Sequence, residues 1–359
     1  MFAAVIRSTN AVRTNALRHA RRGLAARPRR RAVVVKGHSR NAFAGSYDFE
    51  ALVGCVPELG PHVIAAADSK GGRDTIDWGD GAAVEQLNRA LLAKDYGVAE
   101  WSVPAGKLCP PVPSRADYVH HAADVLARSG GLSEPPAAIT ALDVGTGASL
   151  IYPLVGHGSY GWRFLASEVD ADSVAHAAAL VAANGLGDAI TVVRQPDRAA
   201  VLDNVLGSER VDLVLCNPPF YESRDAFLKE NARKRRGVAK SADRRNSDRR
   251  TRAAAAPTSG SDNFGGGDSE LWTPGGERRF VATLIAESER YGDQCLWFST
   301  LVSRQKLLPA LEASLKRLRV KDTKVVATGR GQKTTTLLFW SFKARAEQRA
   351  WAEARGWAT

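Results

Sequence analysis

The residues Asn217-Pro218-Pro219-Phe220 stand directly after an apolar run, VDLVLC, that ends at Cys216. Proline has a fixed φ and no backbone N–H, so two prolines in succession cannot continue a central strand. The Asn217 side-chain oxygen can accept one hydrogen bond from an amino group, and the carbonyl of Pro218 can accept the other. Phe220 offers an aromatic face to a flat base. The motif therefore predicts a pocket that holds a planar substrate by its amino group, although a stiff turn could have the same composition.

A second motif, LDVGTGAS (142–149), lies between a predicted strand and a predicted helix. Gly145 and Gly147 let the backbone approach a ligand closely, at the edge where open α/β sheets bind their ligands. The third glycine of the dinucleotide fingerprint is missing, which argues against a pyrophosphate ligand. Glu168 ends the next predicted strand, where a carboxylate can accept hydrogen bonds from both hydroxyls of a ribose. A ribose-binding acid without a pyrophosphate cradle predicts S-adenosylmethionine.

The two motifs together predict methyl transfer to an amine. The lone pair of an aromatic amine is conjugated with its ring, and two acceptors at Asn217 and Pro218 favour a more tetrahedral nitrogen aimed at the sulfonium methyl. The leaving group is neutral, so positioning supplies most of the catalysis and little acid–base chemistry is needed. The NPPF motif fits adenine, cytosine, guanine or glutamine nitrogen, and therefore predicts the atom type better than the substrate.

The elements that must position these motifs alternate between strands and helices after residue 135. Four predicted strands separated by helices (AAITALDV, WRFLASEV, AITVVRQ and VDLVLC) indicate a parallel, doubly wound sheet. The fourth strand is expected beside the first, so that Asn217 faces the same crevice as Gly145. KVVATG and TTTLLFWSF are predicted to form a closing antiparallel pair. Within 84–97, VEQLNRALLAKDYG predicts an amphipathic helix that ends at Gly97.

The chain is predicted to divide at residue 135. Residues 38–135 are expected to form a small, mainly helical RNA-binding module, and residues 136–345 the sheet domain. A helix within 108–131 is predicted to have Ser114 as its N-cap, with Asp117 at the capping-box position. Residues 346–359 are expected to be a C-terminal tail.

The net charge of +12 is concentrated in two segments. Residues 1–40 contain 11 Lys and Arg and no acid, and residues 229–252 contain 11 Lys and Arg with three acids. The composition of residues 1–37 predicts a mitochondrial or plastid transit peptide, with a basic tail of a nuclear or cytoplasmic protein as the alternative. Residues 222–262 are predicted to be a disordered basic insertion. Both segments suit a phosphate backbone, although genomic base composition could also produce this arginine content.

The four cysteines (Cys55, Cys109, Cys216 and Cys295) are scattered and form no CxxC pair or Cys/His cluster. The sequence therefore argues against structural zinc and disulfides, and we expect no metal. No apolar run of about 18 residues predicts a transmembrane helix. We expect an intracellular monomer with reduced cysteines.

Longer motifs resemble one enzyme family. They are HSRNAF (38–43), PPVPSRADYVHHAADVL (110–126), DVGTGASLIYPLVG (143–156), ASEVD (166–170), CNPPF (216–220), NFGGGDSELWTPGGE (263–277) and GQKTTTLLFWSF (331–342). From about His38 to Phe342 the chain is similar to the adenine-N6 methyltransferases of bacterial 23S rRNA and to their eukaryotic counterpart that methylates U6 snRNA. NFGG, ELW and GQK favour the bacterial branch. The resemblance implies a class I, Rossmann-like methyltransferase with a seven-stranded sheet, S-adenosylmethionine as cofactor and RNA as partner.

The resemblance also implies roles for individual residues. Arg115 is expected to meet the methionine carboxylate of the cofactor, Asn217 to touch both cofactor and target amine, and Phe220 to stack on the adenine. The expected cofactor contacts are Arg115, Asp143, Gly145, Thr146, Gly147, Ser149, Glu168 and Asn217, and the catalytic segment is Asn217, Pro218, Pro219 and Phe220. The expected RNA contacts are Arg40, Asn41, Arg235, Arg236 and Lys333. At Arg198-Ala199 the chain departs from a Lys-Thr pair of the U6 enzyme.

Two other functions remain open at this stage. A protein glutamine-N5 methyltransferase would use the same NPP segment, but GGE, GQK and the basic segments argue against it. A non-catalytic RNA-binding protein of this fold would not require an intact Asn217-Pro218-Pro219-Phe220.

Overall fold

A computed structural model describes residues 35–43, 47–69, 72–226, 228–229, 272–330 and 333–357. Residues Val34–Thr359 form one compact unit. Nearly all of the transit-like segment 1–37 and most of the insertion, including Arg235 and Arg236, lie outside the described residues, so those expectations stay predictions. In the described part of the chain, no helix is long and apolar enough to cross a membrane.

The centre of the fold is an eight-stranded sheet, with a separate antiparallel pair of two-residue strands. In chain order the strands are β1 (Val35–Lys36), β2 (Val63–Ile64), β3 (Thr75–Ile76), β4 (Thr140–Val144), β5 (Arg163–Glu168), β6 (Ile190–Arg194), β7 (Val211–Cys216), β8 (Cys295–Val302), β9 (Asp322–Arg330) and β10 (Lys333–Ser341). The sheet order is β1-β9-β10-β8-β7-β4-β5-β6, and β2 pairs with β3. Strands β4 to β8 are parallel, whereas β10 is antiparallel to β8 and β9.

This topology confirms the predicted mostly parallel sheet with a closing antiparallel hairpin. Strand β1 is the addition: it pairs in parallel with the end of β9, Val35 opposite Thr328, and makes eight strands instead of seven. Two residues are too few to show a periodic pattern, so this strand leaves no signal in the sequence. As predicted, β7 lies beside β4, with Val144 opposite Cys216.

Eight helices are described. They are α1 (Phe49–Cys55), α2 (Gly81–Tyr96), α3 (Val112–Gly130), α4 (Ile151–Tyr160), α5 (Ala171–Ala183), α6 (Gly276–Ser288), α7 (Leu308–Arg317) and α8 (Arg345–Ala354), with 3₁₀ turns at Pro57–His62 and Gln305–Leu307. Helix α2 ends as predicted at Gly97, whose φ of 70° lies in the left-handed region that glycine adopts without strain.

The predicted N-cap of α3 is wrong. The helix begins at Val112, after Pro111, and Ser114 lies inside its first turn with its hydroxyl donating to the Pro111 carbonyl at 3.0 Å. Prolines start a helix readily because their φ is already helical and the first N–H groups need no intrahelical partner. Of the three prolines in this stretch, Pro113 lies in the first turn of the helix and Pro110 and Pro111 precede it.

The core lies on both sides of the sheet, and β7 shows why its sequence is continuously apolar. Leu213 and Leu215 contribute to one apolar cluster, whereas Val214 and Cys216 contribute to the other. Such alternation follows from the two-residue period of a strand, and both faces are covered by helices in a parallel sheet. The exception is Asp212, which is fully buried within this strand.

The last residues of the chain cover Asp212. Residues 346–359 were expected to be a tail, but most of them belong to α8, in which Trp351 Nε1 donates to Asp212 at 2.7 Å. Arg355 donates to the same carboxylate through Nε at 3.0 Å and Nη2 at 2.8 Å. The helix is therefore held to the sheet by a buried charge.

Helix α3 also belongs to this compact unit. The Tyr118 hydroxyl donates to Ser299 Oγ of β8 at 2.9 Å, and Trp297 of β8 donates to Ser129 Oγ at 2.8 Å. The helical region before residue 136 thus shares its packing with the sheet, and its separate role as an RNA-binding module stays a prediction.

Candidate active site

The turn after β4 is built around two glycines in the left-handed region. Gly145 and Gly147 have φ values of 71° and 64°, which other residues adopt only with strain. The N–H groups of Gly145 and Thr146 both donate to the Ser167 carbonyl at 2.9 Å. The turn is thereby fixed against the end of β5.

Glu168, the last residue of β5, is held by three backbone donors. Its Oε2 accepts from Gly147 N at 3.0 Å, and its Oε1 accepts from Val169 N at 2.8 Å and Asp170 N at 2.9 Å. These three donors fix the orientation of the carboxylate at the end of β5. Asp170 caps α5, and its side chain accepts from Ser173 N at 3.2 Å.

The segment after β7 is positioned by a hydrogen-bond chain from α3. The N–H of Cys216 donates to the Tyr118 hydroxyl at 3.4 Å, Tyr118 donates to Ser299 Oγ, and Ser299 donates to the Val214 carbonyl at 2.7 Å. Burial raises the pKa of Tyr118 well above its ordinary value, so the group stays a neutral hydroxyl. The residue that follows this anchor is Asn217.

These elements enclose one cavity of about 810 Å³ at the carboxyl ends of the parallel strands. The predicted site residues that line it are Arg115, Gly145, Thr146, Gly147, Ser149, Glu168, Asn217 and Pro219. Three residues of the predicted cofactor site and catalytic segment do not line the cavity. Asp143 and Pro218 are buried, and Phe220 is partly buried against the core. The structure thus gathers the cofactor motif and the NPPF segment at one cavity, and stacking by Phe220 stays a prediction.

Polar atoms without partners concentrate here. In the described part of the chain, eleven buried side-chain nitrogen or oxygen atoms lack a hydrogen bond, and seven of them belong to this region. They are Arg115 Nε, both Asp143 oxygens, Thr146 Oγ1, Tyr152 Oη, Asn217 Oδ1 and Trp272 Nε1. An unmet buried polar group costs about 1–3 kcal/mol, so this concentration indicates a place built for a polar ligand.

Asp143 lies behind the glycine turn, and its environment changes its protonation. Burial raises the pKa of Asp143 to about 7, the Thr146 hydroxyl and the Arg115 guanidinium act to lower it, and the nearby Glu168 carboxylate raises it further. The carboxyl is therefore about half protonated near neutral pH in the free protein. A ligand cation placed nearby would favour its charged form.

The cavity also contains residues that the sequence analysis did not assign, namely Lys107, Tyr152, Gln195, Trp272, Arg279 and Phe280. Gln195 directly follows β6, so the strand-end rule that predicted Glu168 applies to it as well. Trp272 and Arg279 belong to the segment around GGE, far along the chain from NPPF. Tyr221 and Trp272 form an isolated parallel bridge that brings the two segments together, and this long-range pairing has no local sequence signal.

The expected RNA contacts have mixed outcomes. Asn41 is buried, and its side-chain nitrogen donates to the Pro113 carbonyl at 2.7 Å and to Asp117 at 2.6 Å. This corrects the expected RNA contact, because the amide holds residues 38–43 to α3 and is not at the surface. Arg40 is partly exposed and bonds to Asp124 at 2.6 Å, so its RNA contact stays a prediction. Lys333 begins β10, and its side chain lies outside the described part.

Near Arg40, three side chains have the spacing of metal ligands. The candidate ligand atoms of His38, His121 and Asp124 lie within 4.8 Å of one another. His38 Nδ1 accepts from the Arg40 N–H at 3.1 Å, so a neutral ring carries its proton on Nε2, which lies 3.3 Å from Asp124. This proton lets His38 donate a hydrogen bond to Asp124, so the described geometry is that of hydrogen-bonded side chains. The expected absence of a metal stays a prediction.

Comparison with known proteins identifies the family. A family model described as RNA methyltransferase matches residues 31–344, most of the chain. The chain belongs to this RNA methyltransferase family. A curated relative from Pseudomonas putida F1, named ribosomal RNA large subunit methyltransferase F, is 43% identical over 320 residues, which are 89% of this chain and 96% of the relative. The relative of the same name from Pseudomonas fluorescens SBW25 is 42% identical over 328 residues, 91% of each chain.

Solved structures support the same family. The catalytic domain of human METTL16 in complex with MAT2A 3′UTR hairpin 1 matches with a TM-score of 0.68 and 29% identity, over 86% of this chain and 96% of that one. The N-terminal domain of human METTL16 in complex with SAH matches with a TM-score of 0.64 and 27% identity, over 86% and 99% of the two chains. The resemblance, the class I fold and the enzyme class predicted from the motifs are therefore confirmed for this RNA methyltransferase.

Proposed function

We propose that this RNA methyltransferase transfers a methyl group from S-adenosylmethionine to N6 of an adenine in the RNA of the large ribosomal subunit. The observation that carries the proposal is Asn217. Its side-chain oxygen is buried and unpartnered on the wall of the cavity that also holds the glycine turn and Glu168. The names of the curated relatives support large-subunit rRNA as the substrate.

The residues around the cavity fit this cofactor. Glu168 is oriented by three N–H donors at the end of β5, and we expect its carboxylate to accept from the ribose hydroxyls. Arg115 Nε has no partner among the described residues, and we expect it to donate to the methionine carboxylate of the cofactor. The Arg115 guanidinium lies 5.9 Å from the centre of the Tyr152 ring. The buried carboxyl of Asp143 suits the positive charge of an amino acid ammonium. When bound, the cofactor supplies a methyl group activated by a sulfonium.

At the target end, the protein orients an amine and does not need a general base. Asn217 Oδ1 and the Pro218 carbonyl each accept a hydrogen bond from one N–H group of the amine. Because both N–H groups are held in this way, the nitrogen lone pair points toward the methyl group. Tyr118 fixes the preceding residue of this segment through the Cys216 N–H. Holding the reacting atoms in line accounts for most of the rate gain that such a site can supply.

RNA must present its adenine unpaired or flipped out of the stack. Arg198 and Arg279 are exposed residues of the cavity wall, and no ion pair involves either of them in the part of the chain that the structure describes. We expect both to contact phosphates beside the target base, in an interaction that salt weakens.

The test compares the wild-type protein with Asn217→Ala, using cofactor labelled in the methyl group and total RNA or total protein as acceptor. We expect label in large-subunit rRNA as N6-methyladenosine, and a loss of about 100-fold or more in Asn217→Ala because two positioning contacts depend on this segment. Label in protein, or RNA label that survives the substitution, would contradict the proposal.

The composition of residues 1–37 supports a finer proposal about location. We propose that this segment directs the enzyme to a mitochondrion or plastid, where organellar large-subunit rRNA would be the substrate. Fluorescent fusions with and without residues 1–34 test it, because Val35–Lys36 form strand β1 of the sheet. The same location for both fusions would contradict the proposal, and a nuclear location would favour an snRNA substrate.

A further inference from the structure

Trp272 is fixed beside the end of the NPPF segment. Its backbone lies opposite Tyr221 in a parallel bridge, and the next N–H, that of Thr273, donates to the Tyr221 carbonyl at 3.0 Å. Tyr221 directly follows Phe220, so the backbone of Trp272 is attached to the segment proposed to hold the target amine. Trp272 is one of the residues that line the cavity.

The indole N–H of Trp272 differs from that of every other tryptophan in the chain. The other seven each donate a hydrogen bond: Trp78 to Thr75, Trp101 to Ser149, Trp162 to Pro136, Trp297 to Ser129, Trp340 to Ser288, Trp351 to Asp212 and Trp357 to Ala138. Trp272 Nε1 is buried, and no acceptor within the described residues reaches it. A buried donor of this kind requires an explanation, and its position at the cavity suggests that the acceptor is a ligand.

We propose that Trp272 reads the target base by donating its indole N–H to a ring nitrogen next to the methylated amine. This inference rests on the proposed function, because the ligand at this end of the cavity is then a flipped adenine. The amine-bearing carbon of adenine has a ring-nitrogen acceptor, N1, on one side, and N7 lies on the other edge. Flipped bases are commonly read through such edge contacts.

A single donor at this position adds specificity that the NPPF segment lacks. Asn217 and Pro218 accept from any amino group, whereas the Trp272 N–H requires an acceptor beside that group. Guanine carries an N–H at N1 on one side of its amine-bearing carbon, where two donors would face each other, and its only acceptor beside the amine is N3 on the other side. A site that must hydrogen-bond its substrate strongly rejects analogues that leave its polar group unpaired.

The experiment uses the full chain in single-turnover methyl transfer to an RNA that carries the mapped target adenine. Wild type and Trp272→Phe are each compared on natural RNA and on RNA with 1-deazaadenosine or 7-deazaadenosine at the target, since each analogue replaces one ring nitrogen with C–H. We expect Trp272→Phe to be about tenfold slower on natural RNA, and wild type to be about tenfold slower on one of the two analogues. On that analogue, Trp272→Phe should show no further loss.

Three results would overturn the inference. They are a wild-type rate for Trp272→Phe on natural RNA, analogue losses of equal size in both proteins, and a weaker affinity of Trp272→Phe for S-adenosylhomocysteine, which would assign the indole to the cofactor. Trp78→Phe is the matched control, because Trp78 is exposed and its N–H already has a partner. If Trp272→Phe does not fold, full wild-type activity on both analogues still contradicts the inference. If wild type methylates no RNA, the proposed function fails instead.

Discussion

At the scale of single residues, the site combines side chains that lie at strand ends with side chains that are positioned by partners far away in the chain. Asn217 and Glu168 lie at the ends of parallel strands, and the sequence predicted both because strand, turn and residue type are adjacent in the chain. Trp272 was not assigned and Asn41 was placed wrongly, because the role of each depends on a partner far away: Tyr221 for the first, Asp117 for the second. Local sequence carries no record of such pairings.

We expect Asp143 to make cofactor binding depend on pH. Burial raises the pKa of this carboxyl to about 7, so it is mostly neutral below pH 7 and mostly charged above it. Since the charged form attracts the ammonium of the ligand, the affinity for S-adenosylhomocysteine should rise as the pH increases from 6 to 8, by up to about tenfold per pH unit below the pKa. Calorimetric titration at several pH values measures this dependence.

The control is Asp143→Asn, which has the same shape but no titrating carboxyl. We expect its affinity to be lower and nearly flat between pH 6 and 8. An equal pH dependence in both proteins would assign the effect to another group.

At the scale of elements, helix α6 lines the cavity and is anchored near each of its own ends. Near its start, the buried Glu277 accepts from Ser303 N at 2.5 Å, which fixes the GGE turn to the end of β8. Near its end, the buried Glu287 accepts from Val201 N at 3.0 Å and Leu202 N at 2.6 Å. The loop after β6 therefore takes its position from this helix. Each of these anchors joins residues that are far apart in the chain, so the local sequence does not indicate them.

Glu287→Gln should loosen the loop after β6. The amide retains only one acceptor oxygen and brings an NH₂ group toward backbone donors, so we expect a stability loss of about 1–3 kcal/mol and about tenfold weaker cofactor binding. Urea unfolding and titration with S-adenosylhomocysteine measure the two effects. The control is Glu289→Gln, at an exposed position two residues away. Similar behaviour of the two variants would argue against a positioning role.

The first turns of α6 also provide a test of RNA approach. Arg279 lines the cavity, whereas its exposed neighbour Arg278 does not line it. Arg279→Ala should weaken RNA binding and lower the slope of log affinity against log salt concentration by about 0.7–0.9, the value for one lost phosphate contact. Arg278→Ala should have a smaller effect, and cofactor affinity should be unchanged in both. Equal salt slopes for Arg279→Ala and wild type would remove this residue from the RNA path.

At the scale of the whole molecule, the fold class was predictable because alternating strands and helices leave few topologies. The sequence did not predict the first and the last described elements of the chain, β1 and α8. Strand β1 is too short for a pattern, and α8 depends on Asp212, a carboxylate inside a central strand that local rules do not associate with a distant helix. The family match ends at residue 344, yet α8 covers the buried carboxylate.

The contact between α8 and the sheet should contribute substantially to stability. Arg355→Met removes the cation that pairs with the fully buried Asp212. We expect the free energy of unfolding to fall by about 2–4 kcal/mol. This is near the lower range for a broken buried ion pair, because Trp351 and Thr140 still donate to the carboxylate. Urea denaturation measures it. Arg349→Met, at an exposed position of the same helix, should change stability little. A loss of the same size in both variants would indicate general weakening of α8.

Asn217 is proposed to orient an adenine amine of large-subunit rRNA for methylation. The most direct measurement is the N6-methyladenosine content of that rRNA, mapped by nucleotide, in cells that lack this protein and are supplied with wild type or Asn217→Ala. We expect one adenine whose methylation disappears with the protein, returns with wild type and does not return with Asn217→Ala at equal protein level. Methylation restored by Asn217→Ala, or unchanged in cells without the protein, would contradict it.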